Sequence, residues 1–257
     1  MPNQFNQWER EYNNPKFLTK DSKPQSDTVK FAKFLRKNGI DFENSRLVDL
    51  GSGTGRNGNF FAEKGCEVFG IELSKTATDI ANDRAKQSNL NVVYVQGDMG
   101  EKLPYDSEYF DIAIDVMSSN SLSLESRKIF VDEIYRILKP NGFVFIKALC
   151  KDGDTNAKEL IKRFPGGEVD AYIMPETGIV ERVFSERDFK ETYAKNFKIL
   201  NLEKKTNYFK MGDRNYKRNY WICYMQKKFD PIQEVLNAHL EETLVGDLRE
   251  LAEKFKD

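Results

Sequence analysis

Histidine is nearly absent from these 257 residues, and the single one, His239, stands in the carboxyl-terminal tail. That removes most metal sites and any Ser-His or Cys-His catalytic pairing from the main body. Cysteine is scarce too: Cys66, Cys150 and Cys223 are far apart and odd in number. They supply no disulfide framework, and a reduced, cytoplasmic setting is expected. Cys66 and Cys223 lie in or beside strand-like runs and are expected to be buried and inert, whereas Cys150 follows such a run and could face a site. No apolar stretch approaches the roughly 20 residues that cross a bilayer, so no membrane partner is expected. The start MPNQFNQWEREY is polar and lacks the apolar segment of a signal peptide. Charge of one sign is missing as well, with 40 Lys and Arg against 41 Asp and Glu. No global field therefore calls for nucleic acid.

What the chain does contain is alternation. Ser26 and Asp27 could cap a helix carrying Val29, Phe31, Phe34 and Leu35, stopped by Gly39. RLVDL, CEVFGIE, VVYVQGD, FDIAIDV and FVFIKAL read as five strands, mostly with helices between them. Ser74 is placed to cap one of those helices, and Ser185 a later one. The near-continuous apolar runs FDIAIDV and FVFIKAL suit strands covered on both faces. The pattern predicts an α/β fold with right-handed crossovers and a parallel sheet. Residues 151–180, with FPGGE and MPETG, look like a partly helical insertion. FKILNLEKK and NYWICYMQKK then predict an antiparallel strand pair joined by a polar loop. From Ile232 to Phe255, apolar residues recur at spacings of three and four, which predicts an amphipathic helix or helix pair. That helix would either pack on the body or make a homodimer contact.

The stretch Arg46-Leu-Val-Asp-Leu-Gly-Ser-Gly-Thr-Gly-Arg-Asn-Gly58 holds two overlapping glycine registers. From Gly53 it fits the G-x-G-x-x-G dinucleotide fingerprint; from Gly51 it is an acid followed by G-x-G-x-G. Ligands of open parallel sheets bind beyond the carboxyl ends of the strands, and acids recur there: Asp49, Glu72, Asp98 and Asp115. Glu72, about 20 residues past the loop, suits ribose hydroxyls in either register. Asp49 stands where a pyrophosphate would be repelled and an ammonium group favoured. These acids favour a positively charged nucleoside, S-adenosylmethionine (SAM), over NAD(P). Gly58 is then expected to be a small residue that lets its helix pack on the sheet.

LVDLGSGTG, FGIELS, VQGDMGEKLPYDSEYFDIAIDV and EIYRILKPNGFVFI, in that order, resemble the successive motifs of class I SAM-dependent methyltransferases. The resemblance covers residues 45–150 and extends through the terminal strand pair to about residue 228. It implies a Rossmann-like seven-stranded sheet, mostly parallel with an antiparallel last strand and helices on both faces. It also implies three regions: a helical cap over the cofactor at 1–44, a methyltransferase domain at 45–229 and the amphipathic tail at 230–257. By resemblance, Gly51, Ser52, Gly53 and Gly55 would admit the methionine and ribose parts of SAM, with Glu72 and Leu73 at the ribose. Gly97, Asp98 and Met99 would frame the adenine, and Asp115 and Met117 would line the edge nearest the sulfonium. Trp8-x-x-x-Tyr12 is similar to an element that closes over the cofactor in relatives. No metal is implied. Asp115 is a candidate general base, although methyl transfer needs one only where the acceptor must lose a proton.

The family's N/D-P-P-Y motif for amine methylation is missing after the fourth strand, where DVMSSNSLS stands. The Gly-Arg-Asn of the loop is similar to tellurite-resistance-type small-molecule methyltransferases, and a small-molecule acceptor is the leading expectation. A basic, aromatic segment, 195–228, keeps nucleic acid open, with loop 205–218 expected on the cofactor face. Two readings of other classes stay open here: an NAD(P)-dependent oxidoreductase, and a SAM-binding protein without turnover.

Overall fold

In the computed structural model the described residues are 4–16, 21–211 and 214–228, with the side chains of 209–216 left aside. The tail 230–257, with His239 and the expected amphipathic helix and dimer contact, lies outside the described residues. The apolar runs become strands β1 (Arg46–Leu50), β2 (Glu67–Glu72), β3 (Val92–Gln96), β4 (Phe110–Val116) and β5 (Leu138–Leu149). Between and before them come α1 (Phe5–Asn13), α2 (Ser26–Lys37), α3 (Arg56–Ala62), α4 (Lys75–Gln87) and α5 (Leu124–Ile137). The Ser74 hydroxyl accepts from the Ala77 amide, so the expected cap of α4 forms. A cap at Ser26 or Asp27 does not: both lie inside α2, whose first turn follows Gln25.

Further along lie α6 (Thr155–Arg163), β6 (Ala171–Ile173), β7 (Val180–Arg182) and α7 (Glu186–Tyr193). The insertion 151–180 thus contributes a helix and one strand of a separate antiparallel pair, β6–β7, which its short irregular sequence did not reveal. Ser185 caps α7 through the Asp188 amide, as its position predicts. The chain then forms β8 (Phe197–Met211) and β9 (Arg214–Lys227). The expected loop 205–218 is therefore corrected: its residues continue both strands, paired from Lys205–Tyr220 to Met211–Arg214. Alternating β-branched, aromatic and long side chains across two strands make a pairing ladder, which a count of charges read as loop.

The main sheet has seven strands in the order β3-β2-β1-β4-β5-β9-β8. All run parallel except β9, which is antiparallel to both β5 and β8. β8 therefore shares the direction of β5, and its carboxyl end lies on the side of the glycine turn. The two-residue side-chain period sorts the core onto both faces. Leu47, Ile112, Ile114 and Phe145 pack with Phe31 and Leu35 of α2 and Phe61 of α3. Val48, Leu50, Val144 and Ile146 pack with Phe130 and Ile134 of α5 and Phe189 of α7. No helix among the described residues is long and apolar enough to cross a membrane. All three cysteines are buried. Burial pushes the Cys66 and Cys150 thiols up to about 12, and Cys150 is not among the residues lining the cavity described next.

Candidate functional site

The strand ends leave a cavity of about 1630 Å³. Ligand pockets usually measure about 300–1,000 Å³, so there is room for more than one small molecule. At the end of β1 the chain turns through Gly51 and Gly53, both with positive φ (71° and 54°). A Cβ on Gly51 would sit 2.2 Å from Ser118 Cβ, and one on Gly53 would sit 2.8 Å from the Tyr12 hydroxyl. Both positions need glycine for conformation and for space. Gly55 also has positive φ (79°), but Gly58 lies within α3. A Cβ on Gly58 would meet the Tyr94 hydroxyl at 2.5 Å, so its smallness serves helix–sheet packing. The Gly51–Gly55 register is the one that shapes the turn.

Glu72 leaves β2 buried against this turn. Its Oε2 accepts from the Gly53 amide (2.8 Å) and its Oε1 from the Ser74 amide (2.9 Å). Burial raises its carboxyl above the ordinary value despite those bonds. Leu73, Gly97, Asp98 and Met99 continue the wall, and Asp98 Oδ1 accepts from the Gly100 amide at 2.8 Å. Met117, just past β4, also lines the cavity and holds a positive φ of 76°. Positive φ is uncommon for a residue with a side chain, and such strained positions cluster at binding sites. On the far side Trp8 and Tyr12 of α1 face the cavity, with ring centroids 6.2 Å apart. Glu9, on the same helix, accepts from the Ser74 and Thr76 hydroxyls at the start of α4 (2.6 and 2.5 Å), fixing α1 in place.

Three of the sequence-predicted site residues, Asp49, Gly55 and Asp115, stand behind the wall rather than on it. Asp49 Oδ2 accepts from the Gly58 amide at 3.0 Å. Burial first, with Asp115 and Glu72 adding, raises the Asp49 carboxyl to about 7. Asp115 Oδ1 accepts from the Ser118 and Ser119 amides (2.9 and 3.2 Å), and burial raises its carboxyl to about 6. Among the described residues its Oδ2 and the Ser52 hydroxyl have no hydrogen-bond partner, although both are buried. From behind, Tyr94 of β3 braces the turn, its hydroxyl 3.0 Å from the Gly55 carbonyl and 2.8 Å from Asn59 Oδ1.

Sequence reasoning put Lys205 and Arg218 on the cofactor face but missed Lys147 and Asp27, which join them in the other half of the cavity. Lys147 of β5, only 6% exposed, binds Gln25 Oε1 (2.6 Å) and Asp27 Oδ2 (3.0 Å). Asp27 Oδ1 takes Lys205 of β8 at 2.6 Å. Burial alone would raise the Asp27 carboxyl, but the two lysines hold it below its ordinary value. Burial lowers the Lys147 ammonium, with Lys205 and Arg56 adding to that against Asp27. Arg218 of β9 pairs with Glu181 (3.3 Å) and bonds the Tyr172 hydroxyl (2.5 Å). A lysine inside the otherwise apolar FVFIKAL was the available signal.

The residues present fit SAM: a glycine turn open to a ligand backbone, the buried Glu72 carboxylate bonded to that turn, and a Ser52 hydroxyl without a partner among the described residues. Residues 47–142 match the family described as methyltransferase domain. A ubiquinone biosynthesis O-methyltransferase of Bartonella tribocorum is 29% identical over 110 residues, 43% of each chain. A phosphoethanolamine N-methyltransferase of Plasmodium falciparum is 29% identical over 126 residues, 47% of each. The match thus spans less than half the length of these curated relatives. Among solved structures, 1,6-didemethyltoxoflavin-N1-methyltransferase of Burkholderia thailandensis, with S-adenosylhomocysteine (SAH) bound, superposes with a TM-score of 0.64 at 17% identity, covering 88% of this chain and 87% of that one. That likeness concerns the fold, and it agrees with the sheet order and the glycine turn. On these grounds the chain carries a class I SAM-dependent methyltransferase domain.

Proposed function

We propose that the protein transfers a methyl group from SAM to a small-molecule acceptor by in-line displacement. The observation that carries this reading is the buried acid set around the glycine turn. Burial raises the Asp49, Glu72 and Asp115 carboxyls, and Asp115 and Glu72 add to it at Asp49, where a dinucleotide would bring a pyrophosphate. A ligand with an ammonium and a sulfonium relieves that crowding, whereas NAD(P) adds to it. SAM supplies a methyl on a sulfonium already activated for displacement. Glu72 is assigned to the ribose hydroxyls, Asp98 and Met99 to the adenine, and Tyr12 to the opposite wall. Arg56, which lines the cavity beside the turn, suits the carboxylate of the methionine part. Holding donor and acceptor in line then supplies much of the rate. Asp115, tied to the Ser118 turn, acts as a positioning residue. The names of relatives that methylate a quinone precursor pathway and phosphoethanolamine support a small acceptor. Lys205 and Arg218, two cations of the basic segment, line the cavity instead of an outer face, which favours a small molecule over RNA.

The test is thermal unfolding with SAM, SAH and NAD, since a ligand of the folded state raises Tm. SAM and SAH are expected to raise it and NAD to leave it unchanged; the reverse pattern defeats the reading. Labelled methyl from SAM, sorted among small molecules, RNA and protein of a cell extract, is expected in the small-molecule fraction. Absence of label from every fraction would instead favour a SAM-binding protein without turnover.

A further inference from the structure

The register of β5, β9 and β8 brings a second set of polar groups onto one face of the sheet. Lys147 and Leu149 point the same way along β5, and their partners on β9 are Ile222 and Tyr220. Tyr220 pairs with Lys205 on β8, and Arg218 pairs with Asn207. Because side chains repeat every two residues, Lys147, Tyr220, Lys205, Arg218 and Asn207 share that face, and all five line the cavity. Each of the three cations already meets a carboxylate: Lys147 and Lys205 share Asp27 of α2, and Arg218 takes Glu181 of β7 with Asp154 nearby. Two lysines thus share one carboxylate in a region where Lys147 and Tyr220 are both more than nine-tenths buried. Two ammonium groups on one carboxylate leave N–H donors over, and a further anionic partner would use them.

Two donors are also left over. Among the described residues neither the Tyr220 hydroxyl nor the Asn207 amide has a hydrogen-bond partner. Both residues line the cavity, and Tyr220 as a whole is only 6% exposed. The Lys147 ammonium lies over the Tyr220 ring, 5.0 Å from its centre. Three cations and two open donors on one wall match the many lone pairs of an oxyanion.

We infer that the methyl acceptor carries an oxyanion, a carboxylate or a phosphate group, seated on the β5–β9–β8 face by Lys147, Lys205 and Arg218 with Tyr220 and Asn207 as further donors. The word acceptor rests on the methyl-transfer reading; the oxyanion site itself does not. Inorganic phosphate and acetate serve as probes, titrated calorimetrically into the full chain with and without saturating SAH. At least one is expected to bind, and the one that binds tells phosphate from carboxylate. Lys205→Gln is expected to weaken it at least tenfold and Tyr220→Phe about fivefold. Lys205 is partly exposed and Tyr220→Phe removes one oxygen, so both variants are expected to fold, with Tm recorded as the check. Binding of neither probe, or unchanged affinity in both variants, overturns the inference. Loss of SAH binding with retained anion binding overturns the methyl-transfer reading instead.

Discussion

The β1–β2 end of the cavity presents Glu72 and Asp98, with Asp49 and Asp115 just behind the wall; the β5–β9–β8 end presents Lys147, Lys205 and Arg218. The two ends lie in one cavity, are built from ends of the same sheet, and carry opposite charge. A near-zero net charge conceals that division. It matches a reaction in which a cationic donor faces an acceptor held by its negative group. Each end also handles its excess charge differently. Backbone amides hold the acids, so those carboxylates stay available to a ligand. On the basic side a carboxylate from α2 holds two lysines together.

That contrast can be broken at either end. The largest effect is expected from Asp27→Ala, which strips Lys147 and Lys205 of their shared partner. Leaving a buried charge unpaired costs about 3–5 kcal/mol, read as a lowered Tm or denaturation midpoint; an unchanged midpoint would mean the lysines have other partners. Next, Glu72→Ala removes a charged acceptor worth about 1.5–3 kcal/mol. SAH affinity measured by calorimetry should fall by one to two powers of ten, while phosphate or acetate binding at the other end stays as it was.

Acidity offers a gentler perturbation. The Asp49 carboxyl rises from 3.8 to about 7 in the folded protein. Between those values the folded state holds a proton that the unfolded chain has released. Stability should therefore fall as pH rises from about 4 to 7, and Asp49→Asn should flatten that fall in denaturation curves taken across the range. SAM, being cationic, should bind up to about tenfold more tightly at pH 8 than at pH 6, a change of about 1.4 kcal/mol. The smallest effect is expected from Tyr94→Phe, which deletes a hydroxyl bond worth about 1 kcal/mol behind the acidic end. It should lower Tm slightly and leave the basic end untouched.

The acidic end was legible because its signals are local. Asp49 and Glu72 stand at the ends of β1 and β2, and the glycines and Asp98 come just past a strand, so finding the strands found them. The basic end was legible only in part. Lys147 meets Asp27 across 120 residues and Lys205 meets it across 178, and no spacing rule reaches that far. Asp27 even looked like a helix cap, since an acid in a first turn favours the helix whatever else it binds. The strand pair itself was expected, but its far part, 205–218, read as a loop because charged and polar residues crowd it. Strand direction was inferred correctly, and with it the side of the sheet where those cations stand.

Tyr94 has a consequence that reaches beyond one chain. Its ring lies against three glycines: a Cβ on Gly70 would come within 2.3 Å of it, one on Gly58 within 2.5 Å and one on Gly55 within 3.0 Å. Two of those glycines belong to the cofactor turn and its helix, and one to the middle of β2. Across evolutionary time these four positions are tied. A lineage that acquires a side chain at Gly70 is expected to have replaced Tyr94 with something smaller. A lineage that keeps the tyrosine is expected to keep Gly58, whatever cofactor its turn has come to hold.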